Sequence, residues 1–208
     1  MVSASEGSGV GLSAMDEYLI GAARAVKRRR KPPYPTLWLF TDAGRLADPL
    51  PAIALLPRGI GGVVFRHDGA PNRAALGRLV AALCRARGIP LIVAGDWRLA
   101  AALRAGVHLR GGTKIRSAYR GALVTASAHG RTELIAAARA GADLVFLSPA
   151  FATASHPGAR PLGAVRWAGL ARTSPVPVLA LGGIGRRAQH RLGAACAGIG
   201  AIGALSHG

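Results

Sequence analysis

Cysteine is nearly missing from this chain: Cys84 and Cys196 are the two among 208 residues. They lie far apart and neither has a CxxC spacing. That argues against a disulfide scaffold or a thiolate metal pair, and leaves two small buried side chains. No His/Cys/Glu cluster has zinc spacing either. Aromatic residues make up 5%, too few for a stacking platform for single strands. Trp38, Trp97 and Trp167 sit in element positions and read as packing. No apolar run reaches the roughly 18 residues of a membrane span. The start of the chain, 1–11, lacks the cationic and apolar regions of a secretory signal, so the expected location is cytoplasmic.

Acids are scarce as well. Nine Asp and Glu stand against 27 Lys and Arg, a formal net charge of +18. Such an excess attracts phosphates of any kind, on nucleic acid or on small metabolites. The densest cluster is Lys27-Arg28-Arg29-Arg30-Lys31. No zinc-finger spacing or RNA-binding aromatic motif accompanies it. The excess reads as an arginine-rich solvated surface with incidental nucleic-acid affinity.

What the chain has is half its residues hydrophobic and a length that suits one domain. Residues 1–13 are small and polar and read as disordered, and 14–208 read as the domain. Helical periodicity over 15–30 stops at Pro32-Pro33. Beyond it, short apolar strands alternate with helices. Strands are expected at 37–41, 62–66, 90–94, 107–109, 122–126, 144–147, 176–181 and 199–205. Helices are expected at 50–56, 72–87, 97–105, 131–140, 164–172 and 186–197. Strands without polar alternation are buried on both faces, as in parallel sheets. Eight βα repeats predict a compact (β/α)8 TIM barrel. The chain stops soon after the last strand, so the eighth outer helix is absent from this reading, and the extra N-terminal helix covers its place.

In such a barrel the chemistry lies just past the strand C-termini. Those positions hold Arg66-His67-Asp68, Asp96, Ser127-Ala128-His129, a long loop at 148–163, Gly182-Gly183 and Gly203-Ala204. Glycines after strands seven and eight expose backbone N–H groups and make a phosphate site. The plainer reading is a tight turn. His67 and Asp68 read as solvated, and His108 as structural within its strand.

Several stretches are specific in combination: Ser148-Pro-Ala-Phe-Ala-Thr-Ala-Ser-His-Pro157, Val178-Leu-Ala-Leu-Gly-Gly-Ile184, Gly106-Val-His-Leu109 and Thr125-Ala-Ser-Ala-His129. Together they resemble the thiamine phosphate synthase and thiazole tautomerase family over about residues 36–205. The resemblance implies an enzyme of thiamine biosynthesis, a transferase that joins a thiazole phosphate to a pyrimidine pyrophosphate. Pyrophosphate leaves, and the thiazole nitrogen captures the pyrimidine-methyl cation. By the same resemblance Gly182, Gly183, Gly203 and Ala204 hold the thiazole phosphate. Arg66 binds the diphosphate end, Ser127 contacts the leaving group, and Thr153, Ser155 and His156 line the substrate loop. Asp96 is a ligand of Mg²⁺. The implied partners are small phosphorylated substrates and further copies of the chain in a homo-oligomer, with no membrane.

The chain also departs from that pattern. Gly95 stands where synthases carry asparagine, and Asp68 stands in place of a second cation. The stretch Arg110-Gly-Gly-Thr-Lys114 offers no second metal aspartate. His156 replaces a lysine, and imidazole is largely neutral at pH 7. Two alternatives therefore stand beside the synthase. One is a metal-independent tautomerase with His129 as acid/base. The other is a non-catalytic or regulatory barrel that binds a phosphate ligand.

Overall fold

The structure is a computed structural model and describes residues 13–110, 122–153, 158, 160–185 and 189–202. Eight strands close a parallel barrel in sequence order: β1 (Leu37–Phe40), β2 (Gly61–Phe65), β3 (Leu91–Ala94), β4 (Gly106–Leu109), β5 (Val124–Ala128), β6 (Leu144–Leu147), β7 (Val178–Leu181) and β8 (Cys196–Ile202). β8 returns to β1 with Leu37 opposite Ile199 and Phe40 opposite Ile202. Among the described residues six helices surround them: α1 (Ala14–Arg30), α2 (Leu50–Leu55), α3 (Arg73–Arg87), α4 (Trp97–Leu103), α5 (Arg131–Arg139) and α6 (Gly163–Arg172). A 3-10 segment, Gln189–Ala195, precedes β8. The expected (β/α)8 barrel is the observed fold.

Strand period sorts the core into two layers. Trp38, Phe40, Val64, Ile92, Phe146 and Leu179 fill the barrel interior. Leu37, Leu39, Val63, Phe65, Val145 and Val178 face the helices. The interior is crowded: a Cβ on Gly62 would stand 2.7 Å from the Trp38 ring. Glycine there is what admits an indole into so small a barrel. The indole Nε1–H donates to Pro35 O at 2.9 Å, so the burial leaves no orphan donor.

The basic run on α1 proves to be largely structural. Lys27 Nζ donates to Pro32 O and Tyr34 O. Arg29 donates to Cys196 O and Arg30 to Ala194 O. These bonds tie the helix to the start of β8 and satisfy carbonyls there. α1 packs against β8 and β1. The absent eighth helix concerns 203–208, outside the described residues.

Three sequence expectations need correction. Strand five starts at Val124 rather than 122 and runs to Ala128, so Ser127 lies within the strand instead of past it. Where a helix over 186–197 was expected, the described residues form a 3-10 segment, Gln189–Ala195. Gly193, at φ 64° and ψ −159°, breaks it and lets β8 begin at Cys196. Ser13, read as disordered, is the N-cap of α1 in a capping box with Asp16. Residues 1–12 lie outside the described residues.

Candidate active site

The C-terminal mouth gathers residues from the ends of β1 to β7. On β4 and β5 the alternation that points Val107, Leu109, Val124 and Ala126 outward turns His108, Thr125 and Ser127 inward. His108 is buried. Its Nδ1 lies 2.8 Å from Thr125 Oγ1, and its Nε2 lies 2.9 Å from Ser127 Oγ. It meets Phe40 edge-on, with ring centroids 5.7 Å apart. Burial lowers its pKa to about 3, and the charges of Arg110 and Arg66 add to the depression. A neutral imidazole has one donor and one acceptor, so one hydroxyl donates to it and the other accepts. His108 thereby fixes the rotor of Ser127, which is half-buried at the mouth. Sequence reading called His108 structural and missed this link. The period-2 pattern of β4 and β5 was the available signal.

His108 also sets an acid sensitivity. Its folded pKa lies below the ordinary value of 6.5. The unfolded state therefore binds more protons between pH 6.5 and 3, and stability falls as pH drops through that window. We expect the unfolding free energy to fall by a few kcal/mol from pH 7 to pH 4. His108→Gln should flatten that slope in urea titrations at each pH. An unchanged slope would remove His108 as its source.

His129 follows β5 and is exposed. Its Nδ1 lies 2.8 Å from the carbonyl of Ser148, which accepts only, so Nδ1 carries the proton. Nε2 is then the lone pair of the neutral ring. The backbone N–H of His129 donates to Glu133 at 2.7 Å, which fixes the entry to α5.

The loop after β6 docks beside the glycine turn. Ala150 N–H donates to Leu181 O, and Phe151 N–H to Gly182 O. Its far end closes on its start through Leu162 N–H to Pro149 O and Gly163 N–H to Ala150 O. Gly182 and Gly183 have φ of 86° and 67°. A Cβ on Gly183 would sit 2.4 Å from Ala152 O, so this glycine is required by the loop's approach as well as by the turn. Thr153 is half-buried, close to the Gly182 turn. Ser155, His156, Gly203 and Ala204 lie outside the described residues.

Across the mouth, at β2 to β4, arginines and aspartates interleave. Arg66 pairs with Asp42 at 3.4 Å. Its N–H donates to Thr41 Oγ1. Arg73, which sequence reading passed over, is the hub. Nε donates to Arg66 O at 2.8 Å, Nη2 to Ala94 O at 2.8 Å and Nη1 to Asp96 Oδ2 at 3.2 Å. Its Nη2 is also 3.7 Å from Asp68. Arg110 pairs with Asp68. His67, expected to be solvated, is buried instead. Its φ is 36°, its ring stacks on Phe65, and Nδ1 lies 2.9 Å from Thr41 Oγ1.

These carboxylates do not fit a resident Mg²⁺. Asp96 Oδ1 caps α4 by accepting Leu99 N–H at 3.0 Å, and Oδ2 is taken by Arg73. Asp68 is held by two guanidiniums. Mg²⁺ binds through carboxylate oxygens. The sequence 111–121 holds no Asp or Glu, and no metal-binding group of three is present among the described residues.

A parallel (β/α)8 barrel with a glycine turn after β7 and cations at its C-terminal mouth is an arrangement shared by many enzymes of phosphorylated metabolites. The family model described as thiamine monophosphate synthase matches residues 40–205. The chain belongs to that family. It is 33% identical over 154 residues to a thiamine-phosphate synthase of Geobacillus kaustophilus, covering 64% of this chain and 68% of the relative. It is 36% identical over 140 residues to that of Thiobacillus denitrificans, covering 63% and 66%. Among solved structures, a thiamine phosphate pyrophosphorylase from Pyrococcus furiosus superposes with a TM-score of 0.68 at 23% identity, covering 80% of this chain and 85% of the other.

Proposed function

We propose that this chain is a thiamine phosphate synthase-like transferase that joins a thiazole phosphate to a pyrimidine pyrophosphate. The observation that carries the reading is one barrel mouth with a glycine turn on one side and a cation and a hydroxyl on the other, in a member of this family. On one side are the Gly182-Gly183 turn and its docked loop. On the other are Arg66 and the Ser127 hydroxyl. The thiazole phosphate sits on the N–H groups of 182–183, with Gly203 and Ala204 completing the cradle. The family resemblance assigns Thr153, Ser155 and His156 to the same substrate. Arg66 and Ser127 hold the pyrimidine diphosphate.

The C–O bond to diphosphate breaks with its electron pair leaving on pyrophosphate. Arg66 stabilises that growing charge, as preorganised cations do in a water-poor site. The thiazole nitrogen then donates its lone pair to the pyrimidine-methyl cation and forms the C–N bond. The aromatic lining from Phe40 and Phe146 offers no nucleophile to intercept that cation. Magnesium enters this reading as the counter-ion of the diphosphate substrate. A cytoplasmic enzyme of small phosphorylated metabolites is the cellular counterpart.

Incubation with both substrates should give thiamine phosphate and pyrophosphate in equal amounts by mass spectrometry. His129→Ala should keep at least a tenth of that rate. A folded protein that gives no product at high concentration overturns the reading. Metal-independent isomerisation of a thiazole carboxylate phosphate, lost in His129→Ala, would replace it with the tautomerase.

A further inference from the structure

Arg110 has a built seat. Its side chain lies across Gly95, whose Cβ would stand 3.3 Å from Arg110 Cδ and 3.4 Å from Nε. Any larger residue at 95 would press on the guanidinium's stem. Gly95 N–H donates to His108 O at 3.0 Å, which locks that floor to β4. Asp68 holds the other end of the side chain. Arg73, 17% exposed, stands between Asp68 and Asp96 and is anchored by two backbone carbonyls. Arg66 completes the group from the end of β2. Three guanidiniums thus come from the ends of β2 and β4 and the start of α3. The same three positions hold no free carboxylate for a metal, because Asp42, Asp68 and Asp96 each carry an arginine.

We propose that Arg73 and Arg110, with Arg66, take the diphosphate oxygens directly, exchanging their aspartate partners for phosphate without a protein-bound divalent cation. The exchange is energetically easy. The carboxylates are 29–44% exposed, and such ion pairs contribute little in water-accessible settings. A guanidinium gains more from phosphate, which it binds through two parallel N–H donors. The freed aspartates turn to solvent, and Asp96 keeps its cap on Leu99. The surplus positive charge of the whole chain favours the anion's entry.

This inference deepens the synthase reading and rests on it for the identity of the ligand. It is tested by calorimetric titration of inorganic pyrophosphate into the full chain with EDTA, and again with Mg²⁺. Saturable binding at one site in EDTA is expected, within about fivefold of that with Mg²⁺. Arg110→Gln should weaken it at least tenfold, and Arg110→Lys less. Asp68→Asn, which removes the competing carboxylate, should tighten it severalfold. Gly95→Asn tolerates the positive φ of 69° better than other side chains but fills the seat of Arg110, and should weaken binding. Arg98→Gln removes an exposed charge stacked on Trp97 and should leave it within twofold. Thermal melts establish that each variant is folded.

Binding that appears only with Mg²⁺, or that Arg98→Gln weakens as much as Arg110→Gln, overturns the proposal. Product assays separate the two readings. Thiamine phosphate formation without pyrophosphate binding in EDTA sinks the guanidinium site alone. Arg110-dependent binding in EDTA without any product sinks the synthase assignment alone.

Discussion

Gly183→Val is expected to lower kcat/KM by at least a hundredfold and to drop the melting temperature by several degrees. Two independent costs meet at this residue. Its φ of 67° is a conformation that a β-branched residue adopts only under strain. Its Cβ would stand 2.4 Å from Ala152 O and 2.6 Å from Phe151 O, both backbone atoms that cannot swing aside. The loop must therefore lift from β7, breaking the bonds from Ala150 and Phe151 to Leu181 and Gly182. Together these cost on the order of 2–4 kcal/mol. The lifted loop carries Thr153 away from the Gly182-Gly183 turn proposed to hold the thiazole phosphate, so KM for thiazole phosphate should rise more than KM for the pyrimidine diphosphate. Steady-state kinetics with each substrate varied, beside a thermal melt, reads both effects. Wild-type melting and an unchanged KM would mean that the loop does not depend on this contact.

Arg66→Ala should cost about a hundred- to a thousandfold in kcat/KM, the range for removing one preorganised charge from a transition state. The loss should appear when pyrimidine diphosphate is varied and be small in the KM for thiazole phosphate. Stability should change little. The side chain is 30% exposed and its pair with Asp42 is a partly solvated one. The backbone bonds of residue 66 to Thr41 and Arg73 persist in alanine. Arg66→Lys keeps the charge and loses the bidentate geometry, so an intermediate rate is expected. Equal losses in both substrates' KM values would point to collapse of the mouth instead.

The barrel was legible because its strands are short, apolar and bounded by glycine and proline, which is a local signal. Gly182 and Gly183 were legible for the same reason, as glycines directly after an apolar run. Strand five was misjudged because Ala122 and Leu123 are as apolar as Val124, and the Asp143 carboxylate that accepts Val124 N–H comes from 19 residues away. The expected helix before β8 failed on Gly193, whose conformation no hydrophobic period reveals. His67 was read as solvated because neighbours at a strand end point apart and Asp68 is no partner for it, yet Thr41 and Phe65 give it a buried partner and a stacking face. The arginine cluster was invisible for a different reason. Arg66, Arg73 and Arg110 are three of 27 basic residues. Arg66 stood out by its place after a strand, but only strand adjacency joins Arg73 and Arg110 to it, and adjacency is a property of the closed barrel.

The bonds from α1 to the start of β8 bear on how the barrel comes to be closed. Arg30 and Ala194 are 164 residues apart in the chain, and β1 pairs with β8 across nearly the same separation. Contacts this distant carry a large loop-closure entropy and form late. Through most of synthesis, β1 therefore presents an open strand edge beside a helix whose Arg29 and Arg30 do not yet have the carbonyls of 194–196 to hold. A growing sheet with such an edge invites pairing with other chains. The like charges crowded at residues 27–31 repel a second copy at that same edge, so the run that fastens the finished barrel also guards the unfinished one.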